Sequence, residues 1–173
     1  HKMGLPVSKI SVAVNNNDIL HRFFNENDYS RQIVCETISP SMDISIASNF
    51  ERLIYDLFLD RDASRCSAMF DNFPTNPIEL DFSDWQKKND LFTSSRVNDF
   101  DTTNMIERIY RSKNYLLDPH TAVAAVEAFD KSDQKNHYVL LSTAHPAKFP
   151  KVYERLNIEI NSSPIALRDL FKK

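Results

Sequence analysis

The sequence predicts an α/β fold, a mainly parallel sheet flanked by helices, and three stretches carry that expectation. Residues 138–141, Tyr-Val-Leu-Leu, are an uninterrupted apolar run of strand length, as a strand buried on both faces of a parallel sheet requires. The run ends in Ser142 and Thr143, and Pro146 then stands where a helix can open, since its fixed φ suits the first turn. Nearer the start, Ile10–Val14 alternates large and small residues like a strand. Asn15, Asn16, Asn17 and Asp18 follow with turn and capping groups for a helix whose apolar face is Ile19, Leu20, Phe23 and Phe24. Open parallel sheets bind ligands where strands end and helices begin, so residues 142–148 read as the floor of a ligand site.

Composition narrows the function classes. The 173 residues suffice for one domain, or for part of a larger one, with a sizeable core. A net charge of −3 gives no electrostatic case for nucleic acid or an anionic membrane as partner. No apolar run reaches membrane-spanning length, and the first ten residues lack the apolar centre of a signal peptide. Cys35 and Cys66 form no spaced motif and read as buried, reduced thiols of a cytoplasmic protein. Gly4 is the single glycine, where average usage gives roughly a dozen. A glycine-rich phosphate loop is therefore not carried by this chain.

The remaining elements follow in order. His1-Lys2-Met3-Gly4-Leu5-Pro6 has the form of a helix end, with a left-handed glycine cap and a proline beyond, and suggests a chain that starts mid-domain. Residues 33–35 are apolar enough for a short strand. Ser48 and Glu51 have capping-box spacing ahead of a helix with Phe50, Leu53, Ile54, Leu57 and Phe58 on one face. Cys66, Met69, Phe70 and Phe73 form a second apolar stripe, and a helix is expected from Ser83-Asp84-Trp85 onward. Residues 93–97 suit a strand, and Asp101-Thr102-Thr103 can cap a helix that turns Met105, Ile106, Ile109 and Tyr110 inward. Asp118 can cap, and Pro119 open, a helix over 121–129. A polar loop at 131–136, a short helix around Val152, Tyr153 and Leu156, and a last helix over 165–171 complete the expectation.

Five scattered histidines with no HxxxH or CxxC spacing argue against a metal site, and no GxSxG serves a serine nucleophile. Four junctions between strands and helices remain: 15–18, 39–43, 118–121 and 142–148. Together they offer hydroxyls, carboxylates, imidazoles and the cations Arg52 and Lys148, a set suited to a phosphate- or carboxylate-bearing small molecule. Arg52 lies in the first turn of its helix, where it opposes the helix dipole. A bound anion relieves that conflict, as does an ion pair with Asp56 one turn on.

At these junctions the sequence resembles a known family. Met3-Gly4-Leu5-Pro6, Asn15-x-Asn17-Asp18, Ser39-Pro40-Ser41-Met42-Asp43-Ile44, Ser48-Asn49-Phe50-Glu51-Arg52, Asp118-Pro119-His120-Thr121-Ala122 and the run from Leu141 through Ser142-Thr143-Ala144-His145-Pro146-Ala147-Lys148 to Phe149 are similar to threonine synthase of the bacterial and fungal type. The motifs occur in family order as far as Phe149.

The resemblance implies the C-terminal portion of a fold type II enzyme dependent on pyridoxal 5'-phosphate, with residues 1–173 belonging to its large, cofactor-binding domain. In that family the Schiff-base lysine and the phosphate loop precede the Met-Gly-Leu-Pro stretch. The lysine-bearing N-terminal portion is thus an implied partner, and this chain alone is expected to be inactive. The implied reaction converts O-phosphohomoserine and water to threonine and phosphate. Thr143 is implied as the partner of the pyridine nitrogen, and Asp118 is implied to match an acidic residue that in related enzymes lies beside the ring's hydroxyl edge. Ser39, Ser41, Arg52 and Lys148 are implied in substrate binding; Asp43 shares a motif with Ser39 and Ser41. No catalytic residue is assigned within the chain itself. Family glycines are replaced around Asn27-Asp28 and Ala124-Ala125. Two alternatives stand beside this reading: a threonine-synthase-like phospho-lyase, and a non-catalytic binding module that has kept the fold.

Overall fold

The computed structural model describes residues 3–73, 75–130 and 137–160. The chain divides into two compact units, His1–Glu36 with Ser41–Arg96, and Thr37–Pro40 with Val97–Lys173. The expected polar loop at 131–136 and the last helix lie outside the described residues.

In the first unit, β1 (Ile10–Val14) and β2 (Phe92–Arg96) pair in parallel, Ile10 opposite Phe92 and Val14 opposite Arg96. Helix α1 (Ile19–Glu26) packs against both strands, which makes the β–turn–α unit read from the sequence part of an α/β frame. A crossover between parallel strands needs at least a dozen residues, and here it holds three further helices. These are α2 (Phe50–Leu53), α3 (Ala63–Asn72) and α4 (Phe82–Asn89). The last two are capped by Asp62 and Asp81, whose side chains accept from the backbone N–H of Arg65 and Asp84. Phe23 is fully buried at the centre, with the rings of Phe50, Phe24 and Phe58 at 4.6, 5.3 and 5.8 Å. Tyr29 stacks on Phe50 at 4.0 Å, and its hydroxyl accepts from Ala47 N–H at 2.9 Å. Trp85 closes the cluster by donating its indole N–H to the Phe23 carbonyl at 3.1 Å. Aromatic residues bury large areas, and their polar ends need such partners when enclosed.

The second unit is built on α5 (Asp99–Lys113) and α6 (Pro119–Asp130), which pack on each other through Met105, Ile106 and Ile109 against Leu117, Ala122 and Ala125. The alanines permit that close approach. Helix α7 (Pro150–Arg155) inserts Tyr153, fully buried, with its hydroxyl donating to the Leu117 carbonyl at 2.8 Å.

Several expectations are corrected. Residues 138–141 form no strand, and Val139 and Leu141 are 87% and 76% exposed. A strand is buried on both faces only inside a sheet that helices cover on each side, and among the described residues the sheet consists of β1 and β2, both in the first unit. Residues 33–35 are likewise not a strand, with Ile33 98% exposed. Cys35, expected inside, is exposed, whereas Cys66 is buried as expected. The capping box at Ser48 does not form. Phe50 N–H bonds the Ala47 carbonyl at 3.0 Å in a tight entry turn, so the helix starts one residue later, with Asn49 at its cap. Helix α5 likewise starts earlier than Asp101, because the Asn98 side chain accepts from Asp101 N–H. Beyond α2 the helix widens over Ile54–Phe58, where Leu59 N–H reaches back five residues to the Ile54 carbonyl. The chain then turns through Asp60 and Arg61 at φ 48° and 67°. That turn returns Arg61 to Asp56 at 2.8 Å, so Asp56 is paired from the C-terminal side and not by Arg52.

Candidate functional site

In the first unit the polar residues after β1 form a connected set. Asn15 and Asn17, both buried, donate to Asp43 Oδ1 at 2.7 and 3.0 Å. The Asn17 amide also donates to the Cys35 carbonyl and accepts from its N–H, each at 2.8 Å. A side-chain amide thereby satisfies both backbone groups of an irregular segment, as a neighbouring strand would elsewhere. Asp18 receives Arg22 at 3.0 Å and Arg96 at 2.8 Å. Arg22, also buried, further bonds Asp28, Ser30 Oγ and the Ser30 carbonyl. Burial opposes the Arg22 charge, but the bonds to Asp28 and Asp18 outweigh it and raise its pKa. Arg52 is exposed and lines an open cleft of about 360 Å³ with Ser48, Asn49, Tyr55 and Ser67. Ser41 is exposed in the same unit.

The second unit holds the denser constellation, at the start of α6. Pro119 opens the helix, and Asp118 caps it as expected, its Oδ1 accepting from the N–H groups of His120 and Thr121 at 3.0 and 3.3 Å. His120 Nδ1 lies 3.2 Å from the same oxygen, and its ring packs on Phe149 at 4.8 Å. The Thr121 hydroxyl donates to Asp118 Oδ2 and accepts from Thr143 N–H at 3.1 Å. Thr143 Oγ1 lies 3.5 Å from Asp118 Oδ1 and 3.4 Å from Thr121 Oγ1. Burial pushes the Asp118 carboxyl up, but the bonds from His120 and Thr121 together prevail and hold it below the ordinary carboxylate value. It remains an anion at neutral pH.

The structure thus brings together Asp118 and Thr143, which the sequence left 25 residues apart. Lys148 is exposed at the end of a turn over Pro146–Lys148, which His145 Nδ1 caps by accepting from Ala147 N–H at 3.2 Å. Ser39 is buried and bonded to Thr37 at 3.1 Å, which makes it part of the frame of its loop. Sequence reading missed the bridging part of Thr121 and the clamp of Arg22. Thr121 carried only the signal of standing three residues after a capping aspartate. Arg22 stands four residues after Asp18, a spacing that brings side chains together on a helix. Among the described residues, no group of three or more His, Cys, Asp or Glu side chains is placed to hold a metal ion. No helix among them is long and apolar enough to cross a membrane.

Parallel strands wrapped by helices in the first unit define the class, an α/β protein, and in the second unit carboxylate and hydroxyl groups collect at the start of α6. Residues 121–173 match the family model described as threonine synthase, C-terminal. The threonine synthase of Pseudomonas aeruginosa is 40% identical, with 99% of this chain and 37% of that protein aligned. The structure of threonine synthase from Brucella melitensis, described as PLP bound, superposes with a TM-score of 0.86 at 34% identity, over 99% of this chain and 37% of that one. The yeast enzyme superposes with a TM-score of 0.82 at 37% identity, over 99% and 38%. The chain belongs to the threonine synthase family, and it spans a little over a third of the length of these relatives.

Proposed function

We propose that this chain is the C-terminal portion of the large domain of a threonine synthase, a lyase dependent on pyridoxal 5'-phosphate that converts O-phosphohomoserine and water to threonine and phosphate. The observation that carries the reading is the Asp118–Thr121–Thr143 constellation. It fits the cofactor ring on its own chemistry. Thr143 is exposed, and its hydroxyl rests on Asp118 at 3.5 Å, a long contact that it can exchange for a ring nitrogen. A neutral hydroxyl in that position does not enforce protonation of the nitrogen, as a carboxylate would. The cofactor, when bound, supplies the electron sink that stabilises carbanionic character in the substrate. Asp118, held anionic, provides fixed negative charge beside the ring's hydroxyl edge.

Ser41 and Arg52, exposed in the first unit, offer a hydroxyl and a cation suited to a substrate phosphate; Lys148, exposed in the second unit, offers an ammonium of the same use, and Ser39 shapes its own loop there from within. Guanidinium and ammonium groups suit that task because each offers several donors to phosphate oxygens. The Schiff-base lysine and phosphate loop belong to the N-terminal portion, the partner required for turnover. The cytoplasm is the proposed compartment, consistent with two free cysteines.

The test is product analysis with a full-length protein carrying these residues. Threonine and phosphate in equal amounts from O-phosphohomoserine are expected; a keto acid with ammonia overturns the assignment in favour of a phospho-lyase. The chain alone, titrated with pyridoxal phosphate, is expected to yield no stoichiometric borohydride-trappable adduct.

A further inference from the structure

We propose that Thr121 is a positioning residue for Thr143: its hydroxyl, bonded to Asp118, accepts the Thr143 backbone N–H and pins the loop carrying the ring-facing hydroxyl to the first turn of α6. The inference deepens, and rests on, the reading of Thr143 as partner of the pyridine nitrogen.

Proton counting sets the direction of each bond. A threonine hydroxyl has one proton to give and two lone pairs to receive. Asp118 is buried and ionised, so it can only accept, and the Thr121 proton goes to its Oδ2. The Thr121 lone pairs are thereby left for Thr143, whose N–H lies at 3.1 Å and whose Oγ1 lies at 3.4 Å. Thr121 has no second proton to offer, so the hydroxyl proton of Thr143 stays its own to direct at an acceptor. The same bond thus fixes where Thr143 sits and leaves it a donor.

Position supports the assignment. Thr121 is 3% exposed and sits in a helix, where a β-branched side chain has few rotamers. Thr143 lies in an irregular segment with Ser142 and Leu141 also exposed beside it. The anchor from α6 is charge-assisted through Asp118.

The experiment uses the full-length enzyme with two substitutions, Thr121→Val, which keeps the shape and removes the hydroxyl, and Thr121→Ser, which keeps the hydroxyl. Amide exchange at Thr143 and the dissociation constant for pyridoxal phosphate are read together. In the unsubstituted enzyme, the Thr143 amide is expected to exchange at least about tenfold more slowly than that of Ser142, as one retained hydrogen bond implies. Thr121→Val is expected to remove that protection and weaken cofactor binding by about tenfold, whereas Thr121→Ser stays within about threefold. An unprotected Thr143 amide in the unsubstituted enzyme overturns the proposal, and that measurement stands even where Thr121→Val fails to fold. So does a Thr121→Val enzyme that keeps both properties, or a Thr121→Ser enzyme as impaired as Thr121→Val, which assigns the effect to methyl packing. Thr143→Val separates the two readings. An unshifted cofactor absorbance band in Thr143→Val overturns the ring-partner reading. A shifted band there, with the Thr143 amide still protected in Thr121→Val, overturns the Thr121 anchor alone.

Discussion

Asn114 ends α5 with φ at 51°, its N–H returning to the Tyr110 carbonyl at 2.9 Å. Asn27 ends α1 in the same left-handed conformation, at φ 56°. In a chain with one glycine, itself at φ 86°, asparagine fills positions where glycine is usual, because its short polar side chain tolerates that region best among the others. The two positions nevertheless answer substitution with opposite signs. Asn114 is exposed, and Asn114→Gly is expected to raise stability by up to about 1 kcal/mol, with Asn114→Ala lowering it by about 1 kcal/mol. The Asn27 side chain donates to the Leu80 carbonyl at 2.7 Å and accepts from Leu80 N–H at 3.3 Å. Asn27→Gly gives up both bonds and is expected to cost about 1 kcal/mol net. Denaturant titration of the three variants checks the pattern. Arg22 is the residue with most at stake, because its removal leaves Asp28 and part of the Asp18 charge uncompensated. Arg22→Met is expected to cost about 3–5 kcal/mol in the same measurement.

At the scale of elements, the start of α6 couples stability to pH through Asp118. Its carboxyl pKa is depressed in the folded chain, so the stability it contributes is fully present above its unfolded value of about 3.9 and is lost as pH falls through the lower folded value. Asp118→Asn is expected to destabilise by about 1–3 kcal/mol at pH 7, a gap that closes as the pH drops below about 4. Melting curves of both forms across that range decide it. At Tyr29 burial prevails over its hydrogen bond and pushes the hydroxyl up to about 12, so it stays protonated at any ordinary pH. Residues 138–141 carry the other lesson at this scale. Their composition is that of a buried strand, yet Val139 and Leu141 stand exposed two residues apart, and so on one side of an extended segment. Apolar runs specify what an element needs, and a partner must be present for that need to be met.

For the whole molecule, exposed Val139 and Leu141 imply self-association of the chain when it is made by itself. Sedimentation is expected to show concentration-dependent oligomers, reduced when both residues are replaced by threonine; a monomer at all concentrations rejects the idea. The two compact units differ in how they are held. The first closes around a Phe23-centred aromatic cluster and the Arg22 clamp. The second closes around the α5–α6 pair and the Tyr153 hydroxyl.

By itself the sequence determined the α/β class, the β–turn–α start, most of the helices and the cap at Asp118. These are local matters, settled by periodicity, capping chemistry and proline placement within a few residues. It also carried the threonine synthase motifs in order, which made Thr143 and Asp118 legible as candidates. Only the tertiary structure decided that Thr121 joins those two, that Asn17 brackets the Cys35 backbone, and that Asp56 pairs with Arg61. It also decided that residues 138–141 form no strand among the described residues. Each of those depends on groups distant in sequence, or on a chain path through left-handed turns that no periodic pattern encodes. The reason is physical: a side chain's capacity to donate, accept or bury is written in its type, but which partner meets it is fixed only when the elements pack.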